Sequence, residues 1–144
     1  MIVPDINVLL YANFAHFPEH AAASVWWLEA LHGREDVGLC PPVVFGLLRI
    51  STNPRILRSP LSVERALALV EGWMARPPVM LLQPGPRHQE LAFGLLRQLG
   101  TGGDLVSDAQ LAAFALENHA ELHSADSDFG RFPGLRWVNP LKRR

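Results

Sequence analysis

Five short runs, separated by stretches of helical length, restrict the fold of this chain more than any other feature. The runs are Ile2–Pro4 and residues 36–40, 79–82, 121–124 and 136–138. Segments this short, bounded by Gly, Pro, Asp and Asn, read as buried strands rather than helices. Between them lie a helix entered at Asp5, one over 18–32 stopped by Gly33, and one over 43–50 opened by Pro41-Pro42. Further helices follow over 62–74 and 87–99, and a central one runs from the turn Gly102-Gly103 to about Asn118. Parallel strands need a long crossover between them, and a helix is the usual one. Strands alternating with helices therefore imply an α/β sandwich of three layers, a short parallel sheet of four to five strands covered by helices on both faces.

The bulk numbers fit one domain over residues 1–144, with 49% hydrophobic and 19% charged residues. A single cysteine, Cys40, excludes an internal disulfide and suits a reducing, cytoplasmic compartment. The start lacks the basic and long apolar parts of a signal peptide, and no apolar stretch is long enough for a membrane span. A net charge of −1 excludes a non-specific nucleic-acid coat but allows local basic patches around an acidic site.

The central helix carries Asp104 and Asp108 at its front end, four residues apart and so on one face. The plain reading makes Asp104 a helix cap and Asp108 a solvated residue. Two other acids argue for more. Asp5 follows the first strand and Asp126 the fourth, and right-handed crossovers bring the C-terminal ends of parallel strands to one edge of the sheet. Carboxylates gathered there repel one another and raise their own pKa values unless a cation intervenes. A hard divalent ion, Mg²⁺ or Mn²⁺, takes oxygen ligands and keeps waters for a phosphate substrate, which points to metal-assisted phosphodiester hydrolysis. Arg49, Arg55, Arg58 and Arg65 form the densest cationic stretch of the interior, either solvated or gripping phosphates. Ser51, Thr52 and Asn53 read as a turn, with phosphate contact as the second reading. His16 and His20 have a spacing that fits zinc but no third ligand, so they read as surface residues. A basic tail, Lys142-Arg143-Arg144, closes the chain.

Three blocks, in this order, carry a resemblance: Asp5-Ile6-Asn7-Val8-Leu9-Leu10-Tyr11-Ala12, Asp108-Ala109-Gln110-Leu111-Ala112-Ala113 and Ser124-Ala125-Asp126-Ser127-Asp128-Phe129. They resemble the acidic blocks of PIN-domain ribonucleases, and most of all the VapC toxins of type II toxin–antitoxin systems. The resemblance implies a Mg²⁺-dependent endoribonuclease acting on structured RNA such as tRNA or rRNA. It also implies a homodimer neutralised by a VapB-type antitoxin. On the same basis Asp5 and Asp108 match the main metal-binding aspartates, Asp126 matches the late acid, and Asp128 lies in its block. One departure stands out: members of this family carry a glutamate early in the third helix, where this chain has Gly46. Asp104, one turn before Asp108, is the candidate to restore that charge. Arg49, Thr52 and Arg55 are candidate contacts for RNA or antitoxin, beside an apolar groove expected between the early helices and residues 51–65. The alternatives are a catalytically impaired PIN-like binding module and a metal-dependent phosphatase of the haloacid dehalogenase type. The phosphatase requires an acid where this chain has Asn7.

Overall fold

The computed structural model describes residues 1–142; Arg143 and Arg144 of the basic tail lie outside them. Five strands form one parallel sheet: β1 (Ile2–Pro4), β2 (Val37–Leu39), β3 (Val79–Leu81), β4 (Glu121–His123) and β5 (Trp137–Val138), in the spatial order β3-β2-β1-β4-β5. The helices are α1 (Ile6–Asn13), α2 (His20–His32), α3 (Pro41–Ser51), α4 (Val63–Met74), α5 (His88–Leu99) and α6 (Leu105–Glu117). The chain steps from β1 to β2 to β3 in one direction, then returns to place β4 on the other side of β1. Right-handed crossovers in opposite directions put α1 to α4 on one face and α5 with α6 on the other. The pairs α1–α2, α1–α3, α3–α4 and α5–α6 pack accordingly. Among the described residues no helix is long and apolar enough to cross a membrane.

A proline in the central strand conflicts with the usual rule that proline keeps to sheet edges. The ladder resolves the conflict. Ile2 N–H donates to Asp36 O on the β2 side, and Asp5 N–H donates to His123 O on the β4 side. This alternation turns the nitrogen of Pro4 toward β2, where the β1–β2 register has already ended at Ile2↔Val37. Its missing donor therefore costs no ladder bond, while β1 and β4 pair over all three residues.

Helix boundaries follow local chemistry. Ser62 caps α4, its Oγ accepting from Arg65 N–H at 3.2 Å. Pro41 and Pro42 occupy the first turn of α3, which begins two residues earlier than the 43–50 expectation because proline needs no helical donor there. Gly100, at φ 68°, ends α5 in the left-handed conformation. Helix α6 is apolar nearly all round and is buried accordingly, with Leu111, Phe114 and four alanines in its interior-facing set. It packs with Val3, Leu9, Leu39, Leu122 and Phe129 into the main core. Of the two adjacent tryptophans, Trp27 is buried edge-on against Trp73, while partly buried Trp26 donates from Nε1 to His123 Nδ1 at 3.1 Å.

The link from α6 to β4 has one strained point. His119 sits at φ 52°, and Ala120 N–H reaches back to Ala115 O at 2.9 Å, closing the end of α6 as a Schellman turn. The left-handed position favours glycine, and a residue with a Cβ costs about 1 kcal/mol there. His119→Gly is therefore expected to raise stability by about 0.5–1 kcal/mol, read as a melting temperature a few degrees higher.

Candidate active site

The reversal of strand order falls between β1 and β4, and in an open α/β sheet this is the point where ligands bind at the strand C-termini. Asp5 lies directly after β1 and caps α1, its Oδ1 accepting from Ile6 N–H at 2.7 Å. Its other oxygen, Oδ2, accepts from Ser124 Oγ at 2.7 Å and from Asn7 Nδ2 at 3.0 Å. Ser124 follows β4 and also accepts the backbone N–H of Asp126 at 3.0 Å and the amide of Asn7 at 3.1 Å. Asn7 Oδ1 in turn accepts Ala125 N–H at 3.2 Å. One small network thus fixes the Asp5 carboxylate and anchors the loop that carries Asp126. Asp126 Oδ1 caps a short 3₁₀ helix, Ser127–Arg131, by accepting Asp128 N–H at 2.9 Å.

Asp108 reaches the same place from the opposite side of the sheet. Because α6 ends only three residues before β4 begins, the helix runs antiparallel to the strand, and its first turn lies at the strand C-termini. Asp5 and Asp108 line one pocket of about 350 Å³ together with Gly46, Phe45, Arg49 and Gln110. Burial pushes the Asp108 carboxyl up to about 6, and the charges of Asp5, Asp126, Asp128 and Asp104 add to the rise. The Asp5 carboxyl is also raised, chiefly by burial, against the opposing hydrogen bonds from Ser124 and Ile6. All five aspartates singled out in the sequence therefore act on one electrostatic neighbourhood.

Their placements differ. Asp5 and Asp108 border the pocket itself; Asp126 meets it through the Ser124 network; Asp104 and Asp128 act on Asp108 through space. Asp104 stands at the N-cap position of α6, yet its backbone is already helical and its side chain makes no capping bond. Arg49 lines the pocket and makes no ion pair among the described residues. Thr52 and Arg55 do not border it: the Thr52 hydroxyl donates to Leu48 O at 2.7 Å, and exposed Arg55 donates its N–H to Asn53 Oδ1 at 2.9 Å. At Gly46 an added Cβ would clash with Cδ1 of Ile6, so Ile6 fills the space beside the position that carries an acid elsewhere in the resembled family. His20 Nδ1 lies 2.8 Å from Tyr11 O and His16 stacks on Phe17, so neither reads as half of a zinc site. Sequence reasoning did not pick out the roles of Ser124, Asn7 or Phe45. The spacing of Asn7 two residues after Asp5 is a weak cue, while the Ser124–Asp5 contact joins distant parts of the chain and leaves none.

Among the described residues no three His, Cys, Asp or Glu side chains stand close enough to enclose a metal. The donor set at the pocket is nevertheless all oxygen and mutually repulsive, and Mg²⁺ is ordinarily held by one or two carboxylates plus waters and phosphate. Asp5 and Asp108 fit that demand.

A model of the PIN domain matches residues 2–135. This chain belongs to the PIN-domain family. Within it, the chain is 49% identical to ribonuclease VapC33 of Mycobacterium tuberculosis (strain H37Rv), with 99% of each sequence covered. It is 41% identical to ribonuclease VapC37 of the same strain, with 97% of each covered. Among solved structures, it shares its fold with VapBC-1 of nontypeable Haemophilus influenzae (TM-score 0.70, 19% identity, 99% of this chain and 100% of that one). The Mycobacterium tuberculosis toxin VapC20 is similar at TM-score 0.68 and 16% identity, covering 94% of this chain and 99% of its own. The PIN domain of this protein is thus closely related to the VapC ribonuclease toxins, a family that generally uses divalent metal ions.

The raised carboxyl of Asp108 has a stability consequence. Its folded pKa of about 6 exceeds the unfolded value near 3.8, so the folded state binds more protons between the two. Metal-free protein therefore loses this contribution as pH rises from about 4 to about 6. Asp108→Asn is expected to flatten that part of the melting-temperature profile and to stabilise the metal-free protein at pH 7. The gain is on the order of 1 kcal/mol, well below the full shift because solvent screens a partly exposed group.

Proposed function

We propose that this chain is the toxin of a type II toxin–antitoxin pair, a Mg²⁺-dependent endoribonuclease that hydrolyses phosphodiester bonds and is neutralised by a VapB-type antitoxin. The observation that carries the reading is the meeting of Asp5 and Asp108 in one pocket, with Asp126 tied to the same network. Close relatives named as ribonucleases support the chemistry, and relatives of the same fold solved as VapBC pairs support the partner.

Asp5 and Asp108 would hold the divalent ion, with Asp126 steadied nearby as a third acid. When bound, the ion supplies polarisation of the phosphoryl oxygen and neutralises developing negative charge. The chain's own groups do the positioning. Ser124 and Asn7 fix the rotamer of Asp5, so one carboxylate oxygen keeps two donors while the other caps α1. Arg49, unpaired among the described residues and on the pocket wall, would take a phosphate of the RNA backbone. Asp104 would supply charge from the front of α6 in compensation for Gly46, the role tested by Asp104→Asn. The antitoxin would lay an amphipathic segment in the apolar groove of about 460 Å³ between α3 and α4, lined by Val44, Phe45, Leu48, Leu67, Val70 and Met74.

The missing acid at Gly46 specifically favours the second reading, a PIN-like module that binds RNA or protein without cutting. Metal-stimulated cleavage of tRNA or rRNA by purified, antitoxin-free protein separates the two. The expected result is Mg²⁺-dependent cleavage that falls at least about 100-fold in Asp5→Ala and Asp108→Ala, with growth arrest on expression lost in parallel. Absence of cleavage by the unaltered chain with Mg²⁺ or Mn²⁺ sinks the enzyme reading. Proton competition at Asp108 gives a further expectation. Mg²⁺ affinity measured by calorimetry should rise as pH increases through about 6, and Asp108→Asn should remove that dependence.

A further inference from the structure

Phe45 is 69% exposed, more than any other large apolar side chain of the described residues. It lies on α3 one turn before Arg49, so the two side chains share a helix face, and both border the pocket of Asp5 and Asp108. The phenyl ring stacks on no other aromatic of the described residues, unlike the rings of Phe14, Phe17, Phe114, Phe129 and Phe132. Its neighbour Gly46 has no side chain to crowd the pocket, and Ile6 packs against that glycine from within. The lip of the acidic pocket therefore presents a bare ring, then a gap, then a guanidinium.

Unpaired RNA bases bind proteins by stacking on aromatic faces while cations take the adjoining phosphate. We propose that Phe45 is the platform on which a base flanking the scissile phosphate stacks, with Arg49 holding the neighbouring phosphate. Phe45 is then a determinant of substrate binding for single-stranded or splayed-out RNA. This rests on the ribonuclease reading above. The ring also forms one wall of the α3–α4 groove, so a segment lying in that groove would cover the platform. Occupancy by RNA and by such a segment would be mutually exclusive at this side chain.

The test measures binding in an Asp108→Asn background, so that nothing is cut, using fluorescence anisotropy of an end-labelled ten-nucleotide oligoadenylate. An oligomer of equal length with abasic riboses serves as the comparison. Phe45→Ala is expected to weaken oligoadenylate binding about 5- to 150-fold, the equivalent of roughly 1–3 kcal/mol per stacked base. Binding of the abasic oligomer should be unchanged. Phe45→Tyr should bind like the parent, and Phe45→Leu, apolar but without a π face, should fall with alanine. Melting temperatures should stay within a degree of the parent, since the ring is exposed. Equal loss on both oligomers, or full binding by Phe45→Leu, overturns the proposal. So does unchanged RNA binding by Phe45→Ala with a weakened antitoxin complex, which assigns the ring to the groove alone. Cleavage by the unaltered chain, measured alongside, keeps the two readings apart: cleavage with no base-dependent binding at Phe45 removes only the platform, whereas no cleavage and no binding removes both.

Discussion

The pairing of β1 with β4 is the interaction on which the remainder of the molecule depends. Among the described residues it is the one junction in the sheet where the chain has reversed its direction of travel, and it joins the first residues to the last third. Three consecutive register pairs hold it, and the ladder continues one step further through Asp5 N–H to His123 O. That extra step carries the two strand ends forward together. Asp5 and Ser124 consequently emerge side by side, and their hydrogen bond extends the sheet into the polar site.

The placement carries an electrostatic cost that the fold does not relieve by itself. Asp108 is driven toward neutrality by burial and by four neighbouring carboxylates, and burial raises the Asp5 carboxyl as well, against the opposing hydrogen bonds of a hydroxyl and a backbone amide. A protein built for stability alone would place an amide or an apolar group at position 108. Retained repulsion of this kind follows the general pattern in which functional residues oppose the packing rules obeyed elsewhere. Here the opposition gathers at the strand C-termini, beside the apolar packing of Val3, Leu39, Phe114 and Leu122.

Much of this was legible in the residues. All five strands were readable because each is short and bounded by turn residues, and the central helix because its back half is almost wholly apolar. Asp5, Asp108 and Asp126 were readable from their place after strands or at a helix start. Other features carried no local trace. The Ser124–Asp5 bond joins positions whose contact exists only once β4 has docked beside β1. The filling of the Gly46 space by Ile6 is a packing event between two helices, and a glycine in isolation reports only a missing side chain. Thr52 looked available for phosphate, but hydroxyl groups at helix ends readily bond back to a carbonyl one turn earlier, and this one does. Which neighbour the nitrogen of Pro4 faces is likewise set only by the ladder.

The strand order also sets a timetable for synthesis. During translation β1, β2 and β3 can assemble with α1 to α4 before α6 and β4 have been made, since none of their mutual pairings requires the later residues. One long flank of β1 stays open through that interval, and no partial chain holds Asp108 or Ser124 against Asp5. The strand that completes this cluster is thus the same one that seals the exposed flank, and both events wait until the final third of the polypeptide emerges.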